Sequence, residues 1–565
     1  MKRILFLSLV LLAAASLPTD ACTNLIVGKA ASVDGSVICT YNCDGFGFAG
    51  ALLRTPAMRH EPGEMRPIRP WGMRVTGYIP EVEYTHGVIG YINDRQLSIV
   101  ETTFDGRKEL ENREGLLDYD TMIHLGLERA ATAREAIRIM TGLVQEYGYN
   151  STGESITVCD KEEAWILEII GKGPGRKGAV WVAVRIPDDC ISAHANLCRI
   201  RQFPQARKAD KKLGFCVVEG ESMYSADVIS FAREMGYFDG ADEDFSFRDA
   251  YCPITFESVR YADARVWSFF RHHADKEEMD RYLPYINGDF AACDHLPLWI
   301  KPETKLSVRD VMADMRDHFE GTPLDMTADM SAGPWGMPVR PLPMSWEDAE
   351  GRKYFRERPI ATQQTGFTLV SQLRGWLPDA VGGILYFNCD DAGMIAYVPV
   401  FCCTSEVPAP FARRNNPHHE FNPDGAFWMC NLVSNIVYPR YSVMAPDLRE
   451  AQDELEDFYA ADLPATDSAA LALTPLERAE FLTRKSADYA DIMMRRWDRL
   501  FKLLVVKHND QIVKPSKDGA VVPGRYSTPG YDKAFYEAIG RGTGTRYRLR
   551  DSSDVRTLND LNENL

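Results

Sequence analysis

Through the first half of the chain, apolar positions alternate with polar ones at period two, and each alternating run is broken by a turn signal. "TNLIVGKAASVDGSVICTYN" places two β-rich runs around Asp34-Gly35, a pair suited to the positive φ of a hairpin turn. "EYTHGVIGYINDRQLSIVETTF" repeats the arrangement around Asn93-Asp94, and "SITVCDKEEAWILEII" repeats it around Asp160 to Glu163. "GAVWVAVRIPDDCISAHANLCRI" predicts a fourth hairpin, turning at Pro187. The period then changes: Thr132 with Glu135 forms a capping-box signature before "AREAIRIMTGLVQEYG", and Ser307 with Asp310 opens "VRDVMADMRDHF". A second strand-rich block runs from "TGFTLVSQLRGW" through "GGILYFNCDDAGMIAYVPVF". Strand groups divided by helices, without regular βαβ alternation, predict a layered α+β fold of antiparallel sheet.

Beyond residue 410 the pattern becomes mainly helical. "PAPFARRNNPHHEFNPDG" reads as an irregular connection, and Thr474-Pro475-Leu476-Glu477 opens a helix that reaches toward His508. The expected organisation is a leader over 1–21, a catalytic unit over 22–410, and a helical region with a surface tail over 411–565, packed on that unit.

The leader sets the expected compartment. Lys2 and Arg3 precede the apolar run Ile4 to Ala15, and Thr19-Asp20-Ala21 forms a small-residue cleavage site, the pattern of a secretion signal. Later segments lack about 18 consecutive apolar residues, so a periplasmic or extracellular product without stable membrane insertion is expected. A formal charge of −17 argues against nucleic acid as a partner, because polyphosphate binding needs a basic face. Thirteen cysteines leave one over if the rest pair, and Cys22 is the candidate for that free thiol. The His272-His273 and His418-His419 pairs and Cys293-Asp294-His295 lack usual zinc spacing.

Cleavage before Cys22 would put nucleophile and base on one residue. An α-amino group has a pKa of roughly 7.7 to 8.0, so near neutrality much of it is a free base able to take the thiol proton. Folding the first hairpin about Asp34-Gly35 brings residues 42 to 47 beside this terminus, and Asp44, by charge, orients a protonated amine better than Asn42. The competing use of a cysteine after a signal is lipidation. Thr19-Asp20-Ala21 lacks the aliphatic residue usually found three places before a lipidated cysteine.

"CTNLIVGKAASVDGSVICTYNCDG" resembles the N-terminus of the C69 dipeptidases, N-terminal-nucleophile (Ntn) hydrolases related to penicillin V acylases and bile salt hydrolases. "NDRQLSIVETTFDGR", "YGYNSTGES", "WILEIIGKGPGRKGAVWVAVRIPDDCISAHANLCRI", "GTPLDMTADMSAGPWGMPVR", "RPIATQQTGFTLVSQLRGWLP" and "GGILYFNCDDAGMIAYVPVF" extend the likeness in the same order. The resemblance implies an αββα four-layer sandwich of two antiparallel sheets with a C-terminal helical extension. It implies Cys22 as nucleophile, Asp44 as the acid that holds the amine, and Asn196 as an oxyanion donor. Glu101 and Thr102 fall where relatives contact substrate, and Asp325 is a second carboxylate candidate for a dipeptide ammonium. Dipeptides are the expected substrates, no cofactor is required, and homo-oligomerisation is left open. Alternatives are a bile salt or acyl-amide hydrolase, a lipid-anchored binding protein, and a structural protein with a decayed site. One departure stands out: many relatives carry arginine where this chain has Tyr41. His194, beside Asn196, invites a Cys-His dyad that the Ntn reading does not need.

Overall fold

The computed structural model describes residues 21–47, 49–206, 214–340 and 343–549. The expected leader, apart from Ala21, and the end of the expected tail lie outside the described residues. Two large antiparallel sheets carry the core. Their strands are β1 (Ala21–Val27), β2 (Val37–Asp44), β3 (Arg54–Thr55), β4 (Val88–Ile89), β5 (Ile92–Asn93), β6 (Ser98–Phe104), β7 (Gly153–Cys159) and β8 (Ala164–Gly171). The series continues with β9 (Ala179–Ile186), β10 (Ile191–His194), β11 (Phe215–Val218), β12 (Ser222–Ser225), β13 (Trp299–Ile300), β14 (Thr365–Leu373), β15 (Gly383–Cys389) and β16 (Val398–Phe401). The seven-stranded sheet has the order β13-β10-β1-β2-β14-β15-β16, and the nine-stranded sheet the order β11-β12-β9-β8-β7-β6-β5-β4-β3. Neither order closes on itself.

Period two explains how the second sheet is covered. Ile166, Ile170, Val180, Val182 and Val184 belong to the core that includes the first sheet. The intervening Trp165, Leu167, Ile169, Trp181 and Ala183 join a separate core with helices α1 (Tyr119–Arg129) and α2 (Ala133–Tyr147). Alternate side chains thus face a sheet on one side and helices on the other. Helix α3 (Ala264–His273) packs on β10, and α4 (Val308–Asp314) lies near β14. Helices α5 (Ala426–Val437), α6 (Tyr441–Leu471) and α7 (Pro475–Lys507) cover β15 and β16. Among the described residues no helix is long and apolar enough to cross a membrane.

Three expectations need correction. The fourth hairpin does not form: β9 pairs with β8 and β12, whereas β10 pairs with β1 and β13 in the other sheet. The turn after Pro187 therefore carries the chain from one sheet to the other. The helix expected through Phe319 stops at Asp314. Cys22 is a free thiol as expected, but the other twelve cysteines do not pair: all thirteen are free and ten of them are buried.

Candidate active site

The site begins with the β1–β2 hairpin. Gly35 takes φ +84°, and Asp34 Oδ1 accepts from Ser36 N at 3.0 Å, which closes the turn. The resulting register sets Cys22 opposite Cys43 and Ala21 opposite Asp44. On its other edge β1 pairs with β10, with Asn24 opposite His194. Extending that antiparallel register by two residues brings Asn196 beside Cys22, and Cys22 N donates to Asn196 Oδ1 at 3.2 Å. The crossing after Pro187 is what brings Asn196 here: had β9 and β10 formed a hairpin, Asn196 would lie in the other sheet.

Arg265, on α3, completes this cluster. It is buried, and its guanidinium donates to Cys22 O (2.7 Å), Thr23 Oγ1 (2.6 Å) and Asn196 Oδ1 (2.8 Å). Burial, reinforced by the neighbouring Arg358, pulls it down to about 9. Asn196 Nδ2 donates to Thr103 O at 2.7 Å, so one carboxamide ties the Cys22 nitrogen to the end of β6.

The thiol faces other groups. Cys22 Sγ lies 3.6 Å from Glu101 Oε1 and 3.7 Å from Tyr41 Oη, and Tyr41 donates to the same Glu101 oxygen. Tyr41, where the resemblance leads to the expectation of an arginine, thus sets a phenol on a buried carboxyl. Burial pushes Glu101 up to about 7, against the pull of the Tyr41 bond. Burial first, then Cys43 and Glu101, raises the Cys22 thiol well above its ordinary range. Both effects favour the protonated thiol over the thiolate.

Asp44 is fully enclosed, paired with Arg358 and accepting from Thr365 Oγ1. Burial raises its carboxyl, and Arg358 and Thr365 oppose that rise. Positive charge near Cys22 thus comes from Arg265 and Arg358, both far along the chain from the hairpin.

Thr102 turns away from Cys22. Its hydroxyl donates to Ala195 O at 2.5 Å and meets His194 Nδ1 at 2.7 Å, while His194 Nε2 meets Thr157 Oγ1 at 2.7 Å. With both ring nitrogens on threonines, and burial pulling its pKa down to about 3, His194 holds strand ends in place as a neutral ring. Asp325 caps its own loop, accepting from Gly321 N (2.9 Å) and Thr327 N (2.8 Å), and does not line the cavity described next.

A cavity of about 1470 Å³ opens beside the cluster, and its lining includes Thr103, Tyr119, Glu154, Asn196, Tyr261 and Phe355. Cys22, 3% exposed, is one hydrogen bond from that lining through Asn196. Among the described residues no group of three or more His, Cys, Asp or Glu side chains is arranged to hold a metal ion.

Three residues here escape a reading of the sequence: Arg265, Arg358 and Glu154. Glu154 and Arg358 do lie within segments that resemble the family, "YGYNSTGES" and "RPIATQQTGFTLVSQLRGWLP". Arg265 lies in "YADARVWSFF", which carries no comparable signal.

The chain is similar to proteins named probable dipeptidase from Salmonella dublin (26% identical over 400 residues, 67% of this chain and 81% of the relative) and from Latilactobacillus sakei (26% over 500 residues, 84% and 94%). It is also similar to dipeptidase A of Lactobacillus helveticus (23% over 465 residues, 78% and 84%). The family model for Peptidase family C69 matches residues 69–454, which include most strands of both sheets. A match over more than half of its length shows that the chain belongs to Peptidase family C69.

Proposed function

We propose that the mature protein is an exported cysteine dipeptidase in which removal of the leader makes Cys22 both nucleophile and N-terminal base. We read its two sheets and flanking helices as the αββα sandwich of an Ntn hydrolase. The observation that carries this reading is the placement of the Cys22 nitrogen on Asn196, at the edge of a large cavity, while His194 is tied up between two threonines. The dipeptidase names of the relatives support the substrate class.

In this mechanism the Cys22 amine takes the thiol proton as sulfur attacks the carbonyl carbon of a dipeptide. Asn196 Nδ2 and a backbone N–H hold the oxyanion, a contribution of roughly 3 to 4 kcal/mol per donor in other hydrolases. The ammonium passes its proton to the leaving amine as the C–N bond breaks. Water then attacks the thioester, returning the thiol and releasing the acid. Asp44, opposite the cleavage position and balanced by Arg358, orients the new terminus.

Hydrolysis of a dipeptide panel by mature protein, Cys22→Ser, Cys22→Ala and a form retaining Ala21 tests the reading. Blocking the amine with Ala21 should lower turnover by about 10²- to 10⁴-fold although the thiol remains. Full activity of the Ala21 form, shown by mass to stay uncut, overturns it. A diacylglyceryl adduct on Cys22 would point instead to a lipid-anchored binding protein.

A further inference from the structure

Glu101, Thr103 and Glu154 share one face of the second sheet. Thr103 is the cross-strand partner of Glu154, and Glu101, two residues earlier on β6, is its diagonal neighbour. Thr103 Oγ1 donates to Glu154 Oε1 at 3.1 Å, and the carboxyl groups of Glu101 and Glu154 lie within hydrogen-bonding reach of each other. Glu154 lines the cavity yet is wholly buried, and Oε2 of each glutamate meets no donor among the described residues. Neither carboxyl has an ion-pair partner there, whereas Asp44 has Arg358.

Two enclosed carboxyls in contact do not both ionise; they share a proton and together carry one negative charge. Burial raises both; the charge of Glu101 raises Glu154 further, while the hydrogen bond from Glu154 holds Glu101 down. A lone buried negative charge beside a cavity is unfavourable until a cation meets it. The position decides which cation. In a dipeptide the α-nitrogen stands about 2.5 Å from the scissile carbonyl carbon, from the N–Cα and Cα–C bond lengths. Whatever holds that ammonium must lie within a few ångströms of the nucleophile, and Glu101 Oε1 is 3.6 Å from Cys22 Sγ.

We propose that the Glu101–Glu154 pair is the subsite for the α-ammonium of the substrate's first residue, with Glu154 as its cavity-facing member. The proposal rests on the dipeptidase reading above and adds what restricts the enzyme to free N-termini. A singly protonated pair matches one ammonium in charge, and the Thr103 hydroxyl fixes Glu154 while the carbonyl of the same residue fixes Asn196. Substrate charge and nucleophile are thereby held through one residue.

The test is binding, measured by calorimetry on mature Cys22→Ala protein, of alanyl-alanine and of N-acetyl-alanyl-alanine. The free dipeptide should bind about 10- to 100-fold more tightly, the range expected for a charged hydrogen bond. Adding Glu154→Gln should shrink that preference to about threefold or less, and Glu154→Asp, which keeps the charge on a shorter arm, should fall between. Circular dichroism checks the fold of each variant, and the aspartate variant carries the test should the glutamine variant not fold. Undiminished preference for the free amine in folded Glu154→Gln, equal binding of the two ligands to the parent, or no binding of either overturns the subsite. Failure of the parent reading is separate: wild-type mature protein would cleave no dipeptide while the binding preference of Cys22→Ala persisted.

Discussion

At the scale of single residues, the site separates groups that look catalytic from groups that hold them. His194 is the clearest case. In the unfolded chain a histidine takes up a proton near pH 6.5, but burial in the folded chain keeps this one neutral down to about 3. As pH falls through that window the unfolded chain gains a proton the folded chain refuses, so the stability contributed by neutral His194 is full above about 6.5 and declines toward 3. His194→Gln, which keeps two hydrogen-bonding ends, should lessen the acid decline, measured as urea midpoints of wild type and variant between pH 7 and 4. Dipeptide turnover at neutral pH should stay within about tenfold of wild type, since a lost general base costs about 10²-fold or more. Coincident pH–stability curves, or a loss of turnover as large as that of Cys22→Ala, would return His194 to the chemistry.

At the scale of elements, two strand pairings make the site, and only one is legible in the sequence. The β1–β2 hairpin announces itself through period two and Asp34-Gly35, and its register brings Asp44 opposite Ala21. The β10 pairing is hidden, because a strand, a turn and another strand read alike whether the second arm returns to its own sheet or crosses to another. Both arms here are buried on both faces, so polarity cannot decide between them. Arg265 is hidden for a related reason: an arginine on a helix reads as solvated, and only the tertiary fold turns it toward the Cys22 carbonyl. Glu154 stands in a fully buried strand, where a local pattern does not reveal what a carboxylate faces. The legible hairpin supplies its own prediction. A Cβ at Gly35 would meet nothing within 4 Å, so Gly35→Ala is opposed only by its φ of +84°. It should cost about 1 to 2 kcal/mol of stability, by the price L residues carry in left-handed backbone. Thermal denaturation measures it, and an unchanged midpoint would mean that the turn relaxes freely.

At the scale of the whole molecule, the C-terminal helices are joined to the sheets by buried charge as well as apolar contact. Glu456 on α6 is almost wholly enclosed; it accepts from Arg309 and Arg316 and, at 2.9 Å, from Tyr397 N just before β16. Arg316 lies against the carbonyls of Ala392 and Ile395, and burial pulls it down to about 9. Arg374 and Asp467 make a second tie, between the end of β14 and α6. The two arginine partners of Glu456 are not equivalent. The Arg309 side chain is 30% exposed and water can take over its charge, whereas that of Arg316 is 10% exposed and cannot be rehydrated without opening the helix–sheet contact. Glu456→Ala should therefore cost about 3 to 5 kcal/mol, the range for a buried charge left without its partner. Arg309→Ala should cost only about 1 kcal/mol, since solvent already screens that side chain. Urea denaturation of the two variants makes the comparison, and equal midpoints would show that the carboxylate is not what binds α6 to the sheet. Four strand positions separate β16 from β1 in the sheet order, so loosening this contact leaves the Cys22–Asn196–Arg265 cluster in place. Turnover per folded molecule should then match wild type in Glu456→Ala at temperatures below its transition, while its unfolding by urea comes well before that of Arg309→Ala.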